Sequence, residues 1–306
     1  MKKLASTIVN PDIENLELKG WGFFDHLTDF QLKAPCRKPS KVGELCTDMI
    51  DMKRARTEFD HYLDGFDRNN EKIKLKIVHT NEVVRCSGEI ARRMNLPQED
   101  QELAELIALL HDIGRFEQVR VYNSFEPATM NHAHFGVELL FGLESPWIRS
   151  FVTSDQWDEI IREAIGRHSD YFVGSIKDER ILLHAKLIRD ADKLDNCRVK
   201  LTDDMKVLVG IDAEEVGAQP ITDIVFHACM DGKSVRSADR VTKMDYWISY
   251  IAYFFDINFR ATFQIIKEND FVNRIIDRIP YSNPDTREKM ERIRQRVNDH
   301  IDLHAN

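Results

Sequence analysis

From about Glu44 onward the apolar residues recur at intervals of three and four, while the alternation that marks a half-buried strand is hard to find. Successive side chains on a helix are about 100° apart, so this spacing lines one face of each segment and predicts an all-α fold. Residues 1–42 show no such period. They carry Pro11, Gly20, Gly22, Pro35 and Pro39, and read as an irregular N-terminal extension docked through Trp21, Phe23 and Phe24. The helical part divides into a core over 43–200 and a C-terminal helical subdomain over 201–306 packed on it. A charged connector near 200–220 marks the boundary.

Composition narrows the function classes. A chain of 306 residues, 42% hydrophobic, can bury a sizeable core. Its longest apolar runs, such as Ile251 to Phe255, fall far short of the roughly 18 to 20 residues needed to cross a bilayer. Lys2 and Lys3 precede a stretch too short and polar for a secretory leader, and Asn10-Pro11 follows at once. The net charge of −9 and a pI near 5.7 argue against a surface that holds a nucleic-acid polymer. Five cysteines without a C-x-x-C pair form neither a disulfide framework nor a cysteine zinc site, so they read as reduced thiols of a cytoplasmic protein.

Five helical segments carry polar residues on their apolar stripes. Leu75, His79, Val83, Cys86 and Ile90 form one stripe. Ala104, Ile107, Ala108 and His111 form another, on a helix over 98–113 that Gly114 is expected to end, with Asp112 in its last turn. In 131–141 the face of His132, Phe135, Gly136 and Leu139 is more apolar than that of His134, Val137, Glu138 and Phe141. Ile161, Ala164, Ile165 and His168 make a fourth stripe, and Ile181, Ala185, Ile188 and Asp192 a fifth. One buried histidine reads as a hydrogen-bonded core residue. Several imidazoles and carboxylates converging in one apolar interior are stabilised most simply by a cation, because an unpaired buried carboxylate costs several kcal/mol.

The ordered set His79 in KIVHTNEVV, His111-Asp112 in LLHDIGRFEQ, His132 in NHAHFGVELL, His168 in EAIGRHSD and Asp192 in LIRDADKLDN resembles the HD-domain metal-dependent phosphohydrolases. The resemblance spans about residues 70 to 200 and implies an HD-domain helical bundle, here with the irregular N-terminal extension and additional C-terminal helices. It implies that His79, His111, Asp112 and Asp192 hold one divalent ion, and that His132 and His168 complete a second site with Asp112 as the bridge. Such mixed ligands suit Fe, Mn, Zn, Co or Ni.

The implied activity is hydrolysis of a phosphate ester of a small phosphorylated metabolite or nucleotide by a metal-activated hydroxide, with no membrane or nucleic-acid partner. Asp112 is the first catalytic candidate. Arg115 stands where nucleotidase members of the family place a catalytic carboxylate; a guanidinium there binds phosphate rather than moving a proton, which weakens a nucleotidase assignment. Lys193 is a further candidate for phosphate binding, or a partner of a carboxylate. The segment 115–130 reads as a substrate wall, a lid or a plain connection. His134 points away from His132, His184 reads as core, and Asp195, one turn after Asp192, is a rival ligand or orienting group. The aromatic run from Tyr246 to Phe263 reads as core or the seam of a homodimer. Two other functions fit the same ligand set: a mixed-valent di-iron oxygenase and a noncatalytic metal-bound regulator. No G-Y-P follows His168, which argues against the cyclic-dinucleotide branch.

Overall fold

The computed structural model describes residues 50–126, 128–142 and 146–306, and all regular elements among them are helices. The extension read over 1–42 lies outside the described residues. Helix α1 (Met52–Leu63) starts where the Asp51 side chain accepts the Arg54 N–H, and α2 (Glu71–Arg93) where Asn70 accepts those of Lys72 and Ile73. Each cap satisfies a donor that the first turn of a helix leaves without a backbone partner. The chain turns through Asn95 at φ 54° and Pro97 into α3 (Gln98–Leu110). Next come α4 (Ile113–Tyr122), α5 (His132–Phe141), α6 (Ile148–Phe151), α7 (Asp158–Arg167) and α8 (Glu179–Thr202). The long helices α2 and α8 pack on each other and both on α3, while α7 bridges α8 and α5, and α5 lies on α4.

Three local expectations are corrected. The helix expected over 98–113 stops at Leu110, and Asp112 leaves helical geometry at φ −104°, ψ 17° before α4 begins. The His111-Asp112 doublet therefore occupies a junction between two helices, where the Asp112 carbonyl already accepts the Arg115 N–H at 2.8 Å. Gly114 does not end a helix. It lies inside α4 at the crossing with α5, where a methyl group would collide with the His132 carbonyl and approach the Gly136 nitrogen to 2.7 Å. The absence of a side chain lets the two backbones touch, and this places His132 opposite Asp112. The segment 115–130 is likewise helical as far as Tyr122, ending at the left-handed Asn123, so only the stretch after it connects α4 to α5.

The C-terminal part comprises α9 (Met205–Val209), α10 (Ala213–Gly217), α11 (Asp223–Met230), α12 (Lys243–Ile251), α13 (Arg260–Glu268), α14 (Phe271–Ile276) and α15 (Pro284–Ala305). Helix α8 runs on past residue 200, and α13 and α14 pack against it. Two buried charges on α8 fasten this layer. Asp190 accepts the backbone N–H groups of Asn258 and Phe259 and the Asn258 amide, while Arg189 donates to Asp256 at 2.6 Å and to the Asp170 carbonyl at 2.7 Å. Within the aromatic run, Trp247, Phe254 and Phe263 are buried in the core, whereas Tyr250 and Tyr253 are half-buried.

The α4–α5 crossing admits no Cβ, so Gly114→Ala is expected to cost about 1 to 3 kcal/mol by overpacking. It should also displace His132. Thermal unfolding and metal content of the variant check this; an unshifted melting temperature with full metal content would mean that the crossing relaxes freely.

Candidate metal centre

Five segments deliver the polar cluster: α2 brings His79, the α3–α4 junction His111 and Asp112, the first turn of α5 His132, the end of α7 His168, and α8 Asp192. All six residues named by the motif meet. The ligand-type atoms of His79, His111 and Asp192 lie within 4.8 Å of one another, as do those of His111, Asp112 and His168. The remaining histidine, His132, has its Nε2 3.2 Å from Asp112 Oδ1 and 3.1 Å from His168 Nε2. The two Asp112 oxygens face different groups: Oδ1 turns to His132 and His168, and Oδ2 to His79 and His111 at 3.8 and 3.6 Å.

The hydrogen bonds on the far side of the rings fix which nitrogen is free. His111 Nδ1 is 2.7 Å from the Ala108 carbonyl and His168 Nδ1 is 2.7 Å from that of Ile165. A carbonyl only accepts, so Nδ1 carries the proton and Nε2 is the nitrogen turned to the cluster. His79 is held in the same way by Asp195, whose Oδ2 is 2.7 Å from Nδ1 and whose carboxylate is gripped by Arg198 at 2.6 and 3.0 Å. The Nε2 atoms of His79 and His111 are buried and meet no hydrogen-bond geometry among the described residues, although that of His79 lies 3.0 Å from Asp192 Oδ1. Converging imidazole lone pairs around a buried carboxylate repel anions and neutral acceptors, and they fit a divalent cation.

The electrostatics favour the ligand forms. Burial pushes His111 down to about 4. Burial, reinforced by the Arg115 guanidinium, takes His132 to about 3, so both rings are neutral at physiological pH. Burial alone would raise Asp112 and Asp192, but Lys76 and His111 for the first, and His79 for the second, hold both well below the usual carboxylate range. His79 goes the other way: burial and Lys76 oppose protonation, yet contact with the Asp192 and Asp195 carboxylates outweighs them and raises it.

Two cations border the cluster. Lys76 Nζ is 2.6 Å from Asp112 Oδ2. Arg115 donates to His132 Nε2 at 2.9 Å and is also tied to Gln118 and the Phe125 carbonyl. Sequence reasoning missed Lys76, although its place one turn before His79 on α2 was a readable signal. Lys193 instead meets Asp256 at 2.8 Å, on the side of α8 that faces the C-terminal layer. Asp192 is the most open of the six, with a side chain 23% exposed, and its Oδ1 accepts from the Asn196 amide at 3.0 Å. Among the rivals, His134 is exposed, and His184 pairs with Asp100 at 3.0 Å.

Residues 77–197 match the family model described as the HD domain. This segment is similar to HD domains. The matched stretch opens two residues before His79 and closes five after Asp192, so it encloses all six residues of the cluster. Most HD domains are metal-dependent phosphohydrolases. Searches of curated proteins and of solved structures returned no match.

Two outcomes follow from this geometry. His132→Ala should remove mainly one equivalent of bound metal, while His134→Ala should leave the stoichiometry unchanged, as read by elemental analysis; the reverse result would move the ligand to His134. In the metal-free protein, His111 and His132 protonate less readily than in the unfolded chain, whose histidines titrate near 6.5. Their contribution to stability is full above that value and is lost as pH falls from there toward 4 and 3, with His79 acting in the opposite sense. The melting temperature of the metal-free protein should therefore drop over this range, and His132→Gln should make the drop shallower.

Proposed function

We propose that the protein is a cytoplasmic metal-dependent phosphohydrolase cleaving a phosphate ester of a small phosphorylated metabolite or nucleotide. The observation that carries this reading is the buried Asp112 carboxylate, whose two oxygens address two groups of imidazole nitrogens with Lys76 and Arg115 at their edge. His79, His111 and Asp192 would hold one cation with Asp112, and His132 and His168 the other. Bound there, the cations supply Lewis acidity toward phosphoryl oxygens and lower the pKa of a water.

The chain's own residues account for the rest. Asp112 joins the two ligand groups and fixes their separation. Asp195, clamped by Arg198, orients the His79 ring. Arg115 reaches the cluster with a planar fork of N–H donors that suits the non-bridging oxygens of a phosphate. Lys76 adds a point charge on the same side. The carboxylates of the centre are the groups that would take a proton from such a water. Buried free thiols at Cys86, Cys197 and Cys229 accord with a reducing compartment.

A phosphate-release screen over a metabolite panel, run on protein purified without added metal and analysed for its metal content, tests the reading. Asp112→Ala should abolish turnover and lower metal content. Arg115→Ala should lower kcat/KM by about 10- to 100-fold with metals retained, the loss of one charge-assisted phosphate contact of about 1.5 to 3 kcal/mol. Oxygen uptake with a mixed-valent di-iron EPR signal, in place of phosphate release, would overturn the hydrolase in favour of an oxygenase.

A further inference from the structure

One residue of the aromatic run, Tyr253, is neither sealed in the core nor exposed. It stands on the 3-10 turn Ala252–Asp256, which follows α12 directly and packs on α8. The turn is fastened close to the metal centre. Asp256 accepts from Arg189 at 2.6 Å and pairs at 2.8 Å with Lys193, the chain neighbour of Asp192, and the backbone N–H groups of Asn258 and Phe259 donate to Asp190 on the same helix. Tyr253 lines the same small cavity as Asn196, whose amide donates to Asp192 Oδ1 at 3.0 Å. Its ring meets that of Tyr250 edge-on, with centroids 5.8 Å apart.

The Tyr253 hydroxyl makes no hydrogen bond among the described residues, yet it is not shut away as the indole nitrogen of Trp247 is. Burial pushes the phenol up, Arg240 and Arg115 pull it down, and Asp192 and Asp256 push it up. Raised overall, it keeps its proton at neutral pH and is a donor. The same charges locate it: it lies within electrostatic reach of Arg115, which donates to His132, and of Asp192, which faces His79, so it borders the metal centre from the C-terminal side. Arg240, stacked 4.3 Å from the centroid of Tyr246, forms no ion pair among the described residues. Two guanidiniums near a donor hydroxyl suit an anion. We infer that Tyr253 is a substrate-contacting residue, whose hydroxyl donates a hydrogen bond to an oxygen of the phosphoryl group at the metal centre and complements the contact that Arg115 makes from α4. This rests on the hydrolase reading above and deepens it, because it gives the C-terminal layer a direct part in holding the substrate.

The test is Tyr253→Phe, which removes only a hydroxyl that bonds nothing within the fold. The variant should keep the melting temperature and metal content of wild type. Inorganic phosphate, titrated calorimetrically into the protein with its native metal, should bind it about tenfold more weakly, the loss of one hydrogen bond to a charged oxygen. In the phosphate-release assay kcat/KM should fall by about the same factor. Equal phosphate affinity in wild type and a folded variant overturns the contact, and so does a weakening that comes only with loss of metal. If the variant does not fold, wild type decides: added phosphate should move the near-ultraviolet tyrosine absorbance to longer wavelength, as a phenol does on donating to an anion, and an unchanged spectrum overturns the contact. The two readings fail separately. Ester hydrolysis untouched by Tyr253→Phe removes the contact alone, whereas Tyr253-dependent phosphate binding without hydrolysis of any ester removes the hydrolase alone.

Discussion

Asp112 is a buried carboxylate facing four imidazoles, and the rest of the structure is arranged to tolerate it. A charge this deep is stable only if paired and hydrogen-bonded, and here Lys76 supplies the nearest countercharge. The backbone break at Asp112 frees its side chain from either helix face, so one oxygen reaches α5 and α7 while the other turns toward α2 and α3. A continuous helix would have pointed the carboxylate along a single stripe. The interruption in the helical ladder is what allows one residue to address two groups of ligands.

The supporting structure repeats one device. Three of the four rings are held from behind at Nδ1, by two main-chain carbonyls and one clamped carboxylate, and all four present Nε2 to the interior. The two carbonyl partners lie three residues before their histidines in the same helical stretch, so helix termination itself fixes the ring orientation at His111 and His168. His79, in the middle of α2, is held instead by Asp195, a carboxylate on α8, six helices further along the chain. This explains why its proton affinity moves opposite to that of His111 and His132: it alone leans on Asp195 as well as Asp192.

Helix α8 is the shared wall of the molecule. Asp192 and Asp195 face the histidines, Arg189 and Asp190 hold the C-terminal layer, and Lys200 ends buried between the two. The C-terminal helices pack on α8 and contribute Tyr250 and Tyr253 to a small cavity beside it.

Five of the six converging side chains were legible in the chain alone because each falls at a helical interval from apolar neighbours, and a polar group on a buried stripe has to meet something polar; Asp112 lies off those stripes and was read through the His-Asp doublet. The choice of His132 over His134 followed from the same rule, since the more apolar face is the one that is buried. Composition and periodicity also determined the helical class. What only the tertiary structure decided are contacts between residues far apart in sequence, where no local pattern carries information: Lys76 on Asp112, Asp195 behind His79, and Lys200 under Tyr250. The role of Gly114 belongs here too. In the chain it resembles a helix terminator, because glycine suits that position, but its use is steric, and a close crossing of two backbones becomes visible only when both are in place.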